Sequence, residues 1–266
     1  AESTHKLLGS LTQTSMLLAR SGRVPAERIR AASGIVQSTS PNEILLASLD
    51  LARAQMAADG RERLASAIRC ADELRCRINE IPGLWSFGAE YIGGAGGLAL
   101  DPLKITVQVT GLGLTGFAAE EELRRRNVAC ELADARNVLF LLSYADGEGE
   151  TEQILGALRD MAANCAPECI SRGVPSFLSL PQIPETALAP REAYFARSES
   201  IASERAEGRI AAETIVFYPP GIPVLAPGDR IDAEALRYLG AMKTIGARVV
   251  GAADASLATI MVIAEG

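Results

Sequence analysis

Neither a helix nor an interior strand runs easily through residues 166–190, where five of the thirteen prolines fall, at positions 167, 175, 181, 184 and 190. Proline has no backbone N–H to give, and its ring clashes with the preceding turn of a helix. The chain is therefore expected to divide there, into domains spanning 1–180 and 181–266. A length of 266 residues suits two units, or one large domain with an appendage. Hydrophobic residues make up 48%, enough for a sizeable core, which at 5% aromatic must be mostly aliphatic.

Before the proline-rich stretch the pattern changes once. VPAERIRAASGIVQ at 24–37 reads as helix, and QSTSPN at 37–42 as a stop followed by a start. Over 43–58, Ile44, Leu45, Leu49, Leu51 and Ala52 recur near helical spacing, until Asp59-Gly60 breaks the run. A long helix follows over about 61–80 and ends at Pro82-Gly83. ITVQVTG at 105–111 then alternates as a half-buried strand does. A helix at about 116–126, a strand at 138–146 and a helix at 150–164 succeed it. Beyond residue 190, strand-like runs alternate with Pro-Pro-Gly and Pro-Gly turns. A helix near 232–246 and strands near 248–251 and 259–264 complete the chain. Strands alternating with helices define an α/β fold. Residues 1–20 read as a loop running into a short strand.

Charge and cysteines narrow the functional classes. A formal net charge of −7 argues against a dedicated nucleic-acid binder. The basic run Arg124-Arg125-Arg126 ends a predicted helix, where cations suit the dipole without any ligand. The five cysteines include no CxxC pair. Cys165 and Cys169 would share a helix face, but a single histidine leaves little to complete a metal site, and none is expected. Free thiols, no apolar run long enough to span a bilayer and no leader-like N-terminus together read as a cytoplasmic protein with no membrane partner.

Two motifs carry chemistry. Gly111-Leu-Gly113-Leu-Thr-Gly116 follows a strand and opens a helix, with Glu131 and Asp134 about twenty residues on. That matches a dinucleotide fingerprint and makes an NAD(P)-binding oxidoreductase one alternative. A structural turn is the favoured reading of these glycines. The other motif is STHKLLGSLTQTSML at 3–17, where the only histidine, His5, directly precedes Lys6 among the hydroxyls of Ser3, Thr4, Ser10, Thr12, Thr14 and Ser15. A lysine that forms a Schiff base binds pyridoxal phosphate, and hydroxyls, imidazole and backbone N–H groups suit a dianionic phosphate.

This stretch resembles the lysine segment of the Orn/Lys/Arg decarboxylases, pyridoxal-phosphate enzymes of the aspartate-aminotransferase-like fold (fold type I). Further blocks resemble the same family in order: QSTSPNEILLASLDLAR at 37–53, DPLKITVQVTGLGLTGF at 101–117, ELADARNVLFLLSYAD at 131–146, and 188–231 with its YPPGIP stretch at 218–223. The resemblance implies that 1–180 is the C-terminal part of the cofactor-binding major domain with its small subdomain, and that 181–266 is the family's small α/β C-terminal domain. It implies Lys6 as the Schiff-base lysine, with Ser3 and His5 against the cofactor phosphate. It implies Ser38, Thr39 and Ser40 as phosphate contacts across a dimer interface, and Glu213 as a contact to the distal cation of the substrate. The reaction implied is decarboxylation of arginine, lysine or ornithine, with a lean to arginine, to an amine of polyamine metabolism. The implied assembly is a homodimer or higher homo-oligomer. In the family the lysine follows most of the large domain, so the chain is expected to lack the N-terminal half of that domain and to be inactive alone. The alternative within the same resemblance is a catalytically inactive or regulatory decarboxylase-like partner.

Overall fold

The computed structural model describes residues 2–20, 22–93, 97, 99–165 and 180–265. Described residues fall into two compact units. One comprises Ala1–Leu74, Asp101–Leu103 and Leu142–Glu152, the other Arg75–Leu100, Lys104–Leu141 and Gln153–Gly266. Most of the proline-rich stretch, and with it Cys169 and the edge of the expected domain boundary, lies outside the described residues.

The first unit is helical: α1 (Thr4–Leu7), α2 (Ala26–Val36), α3 (Glu43–Ala58) and the beginning of α4 (Gly60–Ile78). Local chemistry sets these limits. Asn42 caps α3, its side-chain oxygen accepting from the N–H groups of Ile44 at 3.0 Å and Leu45 at 3.2 Å. Asp59 closes α3 and anchors α4 through Arg63 Nε at 2.6 Å. The short strand expected within 1–20 does not form. In its place a single antiparallel bridge joins Glu2 to Met16. Gly9 and Gln13 both lie at positive φ, +79° and +75°, so the chain between them turns too tightly to ladder.

The second unit opens with an antiparallel sheet in which β3 (Asn137–Leu141) lies between β1 (Lys104–Gln108) and β2 (Leu132–Ala133). Ile105 stands opposite Phe140 and Val107 opposite Val138, and all four are buried. The alternation read from the sequence is thus the inward face of one sheet. β3 ends sooner than the expected 146. Asp146 pulls the chain into a turn by accepting the N–H of Ser143 at 2.6 Å and its hydroxyl at 2.7 Å. α5 (Gly116–Arg125) packs on β2 and β3, and α6 (Glu148–Ala163) buries Ile154, Leu155, Leu158 and Met161 at helical spacing. The basic run at the end of α5 is paired: Arg124 with Glu120, Arg125 with Glu122, and Arg126 with Glu122 and Asp160.

The glycine run between β1 and α5 serves backbone packing. A Cβ on Gly111 would stand 2.5 Å from Gly83 O, and one on Gly116 would run into the backbone oxygens of Asn137 and Asp134. Gly113 is left-handed at φ +73°. Thr115 Oγ1 caps α5 by accepting Ala118 N–H. The Asp134 carboxylate is taken by the N–H groups of Arg136 and Asn137. The sheet is antiparallel, so the βαβ crevice that a dinucleotide needs is not formed by this turn.

Past residue 180 the unit builds a second core. Pro190 opens α7 (Pro190–Phe195), where its missing N–H costs nothing. β4 (Ser198–Ala202) pairs antiparallel with β8 (Thr259–Ile263), while β5 (Ile215–Phe217) lies between β6 (Pro223–Leu225) and β7 (Val249–Val250). α8 (Ala233–Thr244), capped by Asp232 at 2.7 Å from Ala235 N–H, turns Ala235, Leu239 and Met242 inward. These join Ile215, Phe217, Leu225, Ile231, Ile260 and Val262 in one cluster. Both peptide bonds preceding Pro219 and Pro220 in the YPPGIP stretch are cis.

Candidate active site

The lysine loop is a closed structure built from its own polar groups. Glu2 and Met16 exchange two backbone hydrogen bonds, at 2.8 and 3.0 Å, and tie its ends together. Between them α1 carries Thr4, buried, and Lys6, exposed. The Lys6 N–H bonds to Ser3 O at 3.0 Å, and no carboxylate pairs with the Lys6 side chain among the described residues. Behind the loop, Gly9 lies so close to Tyr144 that a Cβ would come 2.6 Å from the phenol oxygen, and that hydroxyl donates to Gln55. Leu11 N–H donates to the hydroxyl of Ser48 on α3.

His5 is half-buried, and its Nδ1 lies 2.6 Å from the backbone carbonyl of Thr14. A carbonyl only accepts, so Nδ1 carries a proton and Nε2 is the atom left to face outward chemistry. Ser3 is exposed, with a hydroxyl that caps nothing. A free primary amine, an imidazole with one committed nitrogen and an unengaged hydroxyl thus stand on four consecutive residues. This donor set fits an aldehyde that also carries a phosphate.

Ser38, Thr39 and Ser40 are exposed and sit just ahead of α3. Ser38 Oγ accepts Ser40 N–H at 3.1 Å, a local turn, and the helix cap itself is supplied by Asn42. Glu213 is buried in the second unit, its two carboxylate oxygens accepting Ala253 N–H at 2.6 Å and Met261 N–H at 2.7 Å. It is therefore a buried, engaged carboxylate and not a solvated one. Burial pushes the Cys130 thiol up to about 12, and Cys165 donates to Leu112 O. Among the described residues no cluster of three or more His, Cys, Asp or Glu side chains is placed to hold a metal ion, and no helix is long and apolar enough to cross a membrane.

The sequence signalled the lysine, the histidine and the abundance of hydroxyls. It did not signal which hydroxyls pair, nor the support from Tyr144, because those contacts depend on positive φ at Gly9 and Gln13 and on a partner far along the chain.

The sequence model of the Orn/Lys/Arg decarboxylase major domain matches residues 1–150, and that of the Orn/Lys/Arg decarboxylase C-terminal domain matches 176–254. This chain belongs to the Orn/Lys/Arg decarboxylase family. Among its relatives, an arginine decarboxylase of Bacillus anthracis is 39% identical over all 266 residues, which cover 54% of that protein. An arginine decarboxylase of Bacillus subtilis is 37% identical over the same span, again 54% of its length. The chain therefore spans about half the length of these relatives. The crystal structure of the lysine decarboxylase of Francisella novicida superposes with a TM-score of 0.75 at 21% identity, over 98% of this chain and 48% of that one. The fold is thus the α/β fold of lysine decarboxylase structures. The Orn/Lys/Arg decarboxylase major-domain match includes the whole lysine loop, the 38–40 turn and the first sheet, and the C-terminal match includes Glu213.

Proposed function

We propose that the protein carrying this chain decarboxylates a basic amino acid, arginine first, with pyridoxal phosphate held on Lys6. The observation that carries the reading is the exposed Lys6, without a carboxylate partner among the described residues, on a loop fixed by its own hydrogen bonds inside the segment that matches the decarboxylase major domain. The preference for arginine rests on relatives named arginine decarboxylase at 37–40% identity over most of the chain.

When bound, the cofactor supplies an electron sink for the pair released as the α-carboxylate departs. The chain's residues do the rest. Lys6 would hold the cofactor through its ε-amine. Ser3 and His5 hold the phosphate. Ser38, Thr39 and Ser40, exposed ahead of α3, supply further hydroxyls to a phosphate in a partner subunit. Glu213 is the proposed reader of the distal cation, using the carboxylate lone pairs that Ala253 and Met261 leave free, while those two amides fix its orientation. The group stacked on the ring and the acid that pairs with its nitrogen are assigned to the half of the relatives' length that this chain does not span, so the 266 residues alone are expected to be inactive. The protein is proposed to work as a cytoplasmic homodimer or higher homo-oligomer in polyamine metabolism.

Carbon dioxide release by the longest natural polypeptide containing the chain, given arginine, lysine and ornithine in parallel, tests this. The highest kcat/KM is expected with arginine. A higher value with lysine or ornithine would reassign the substrate. No release from any of the three, with cofactor bound, would leave the inactive-partner reading in its place.

A further inference from the structure

The 10–14 turn contains more polar construction than a surface loop needs. Ser10 and Thr14 are both buried, with their hydroxyl oxygens 2.6 Å apart. Thr14 Oγ1 is also 2.6 Å from Leu11 O, which only accepts. Thr14 must therefore give its one hydroxyl proton to Leu11 O, and Ser10 must donate to Thr14. The result is a directed chain, Ser10 to Thr14 to Leu11, in which each bond polarises the next. Gln13, inside the turn, holds φ +75°, a conformation costly for a residue with a side chain. The product of this strain is one placement: the Thr14 carbonyl stands 2.6 Å from His5 Nδ1.

We infer that the Ser10–Thr14 hydroxyl pair is a positioning device that fixes the tautomer and orientation of His5, and through it the grip on the cofactor phosphate. The inference rests on the proposed cofactor at Lys6 for its second half only; the tautomer is a property of the chain itself. With Nδ1–H committed to Thr14 O, the neutral ring offers Nε2 as an acceptor. To hold a phosphate dianion, Nε2 must bring a proton, and to hold a monoanion it accepts one. Either way a proton is shared between Nε2 and the phosphate, and a ring free to flip or change tautomer would not place Nε2 there. Thr14 and Ser10 touch neither cofactor nor substrate in this scheme. They act through His5.

The test uses the longest natural polypeptide containing the chain, first without cofactor. Nitrogen NMR of the imidazoles, with His5 assigned by the signal lost in His5→Gln, should show Nδ1 protonated and Nε2 bare. Thr14→Val keeps the shape but leaves Ser10 without an acceptor and Leu11 O without its donor. It should give a mixed tautomer and weaken pyridoxal phosphate binding about ten-fold, while binding of pyridoxal, which lacks the phosphate, stays unchanged. Thr14→Ser should restore both readouts, and Ser10→Ala should fall between. Nε2 protonated in the wild type, or equal losses for pyridoxal phosphate and pyridoxal in Thr14→Val, would overturn the inference. Failure of the wild type to take either aldehyde onto Lys6 would overturn the cofactor reading instead, and the tautomer result would still decide the role of the turn.

Discussion

The two units make opposite use of their apolar residues. In the second, β1 and β3 bury one face of their sheet, β5, β8 and α8 meet in the cluster past residue 180, and Phe140, Ile215, Leu225 and Ile260 are almost wholly buried. In the first, α2 buries no residue and α3 buries only Ala52. Ile35 and Val36 remain 85% and 83% exposed, and Ile44 and Leu51 each 71%. Within this unit α4 buries Ala67, Ala71 and Leu74, while polar contacts hold the caps and the loop: the Asn42 cap, the Asp59–Arg63 pair and the hydroxyl chain of the lysine loop. The second unit is thus stabilised by its own core. The first presents the candidate lysine on a hydrogen-bonded loop, and its α2 and α3 leave Ile35, Val36, Ile44 and Leu51 exposed.

Substitutions should separate the two. Phe140→Ala, in the packed sheet, should cost about 3–5 kcal/mol in denaturant unfolding of the second unit. A cost under ~1 kcal/mol would mean that this core is loose. Gly116→Ala should cost about 1–3 kcal/mol or more, because its Cβ meets two backbone carbonyls that cannot yield cheaply. A neutral Gly116→Ala that lost nucleotide binding would revive the dinucleotide reading. In the first unit, Asn42→Ala should cost only about 1 kcal/mol, seen as fraying of α3 in amide exchange. Ile35→Ser with Val36→Ser should change stability by less than ~0.5 kcal/mol yet reduce self-association of the 266-residue chain in light scattering, since the exposed patch rather than a core is removed. If those two serines unfold the unit, its helices are packed after all.

A smaller effect belongs to the second unit alone. Asp254 is held down to about 2, first by the Ser256 hydroxyl and then by the N–H groups of Thr259 and Ser256. A depressed carboxylate stabilises the fold above its ordinary value of 3.8, and that contribution fades as pH falls from there towards about 2. Asp254→Asn should therefore flatten the acid limb of a melting-temperature profile and leave the limb above pH 5 parallel to wild type.

Much of this was legible in the sequence wherever the signal is local. α3 occupies the 43–58 span read from its periodicity because a cap and an Asp-Gly stop flank it. The β1 and β3 alternation maps onto a single buried face. The failures are equally physical. β4 carries no signal in the sequence because SESIA is exposed along nearly its whole length and is held to β8 by backbone pairing, with no apolar rhythm. The apolar pattern at 138–146 outruns β3 because the side chain of Asp146, not that pattern, decides where β3 stops. At the candidate site, Lys6 and His5 stood out by residue type alone. The bond that orients His5 reaches Thr14, next to Gln13 at positive φ, which no periodicity announces. Glu213 was visible as a carboxylate before an unusual proline-rich stretch, but its two amide partners lie 40 and 48 residues further on.

The function proposed for the lysine loop depends on Lys6 holding the cofactor. Borohydride reduction of the protein from its natural source, followed by peptide mass spectrometry, tests it most directly. A phosphopyridoxyl group on Lys6 is the expected result, with no other lysine of the chain modified. An unmodified Lys6 in protein that is folded and saturated with pyridoxal phosphate would contradict it.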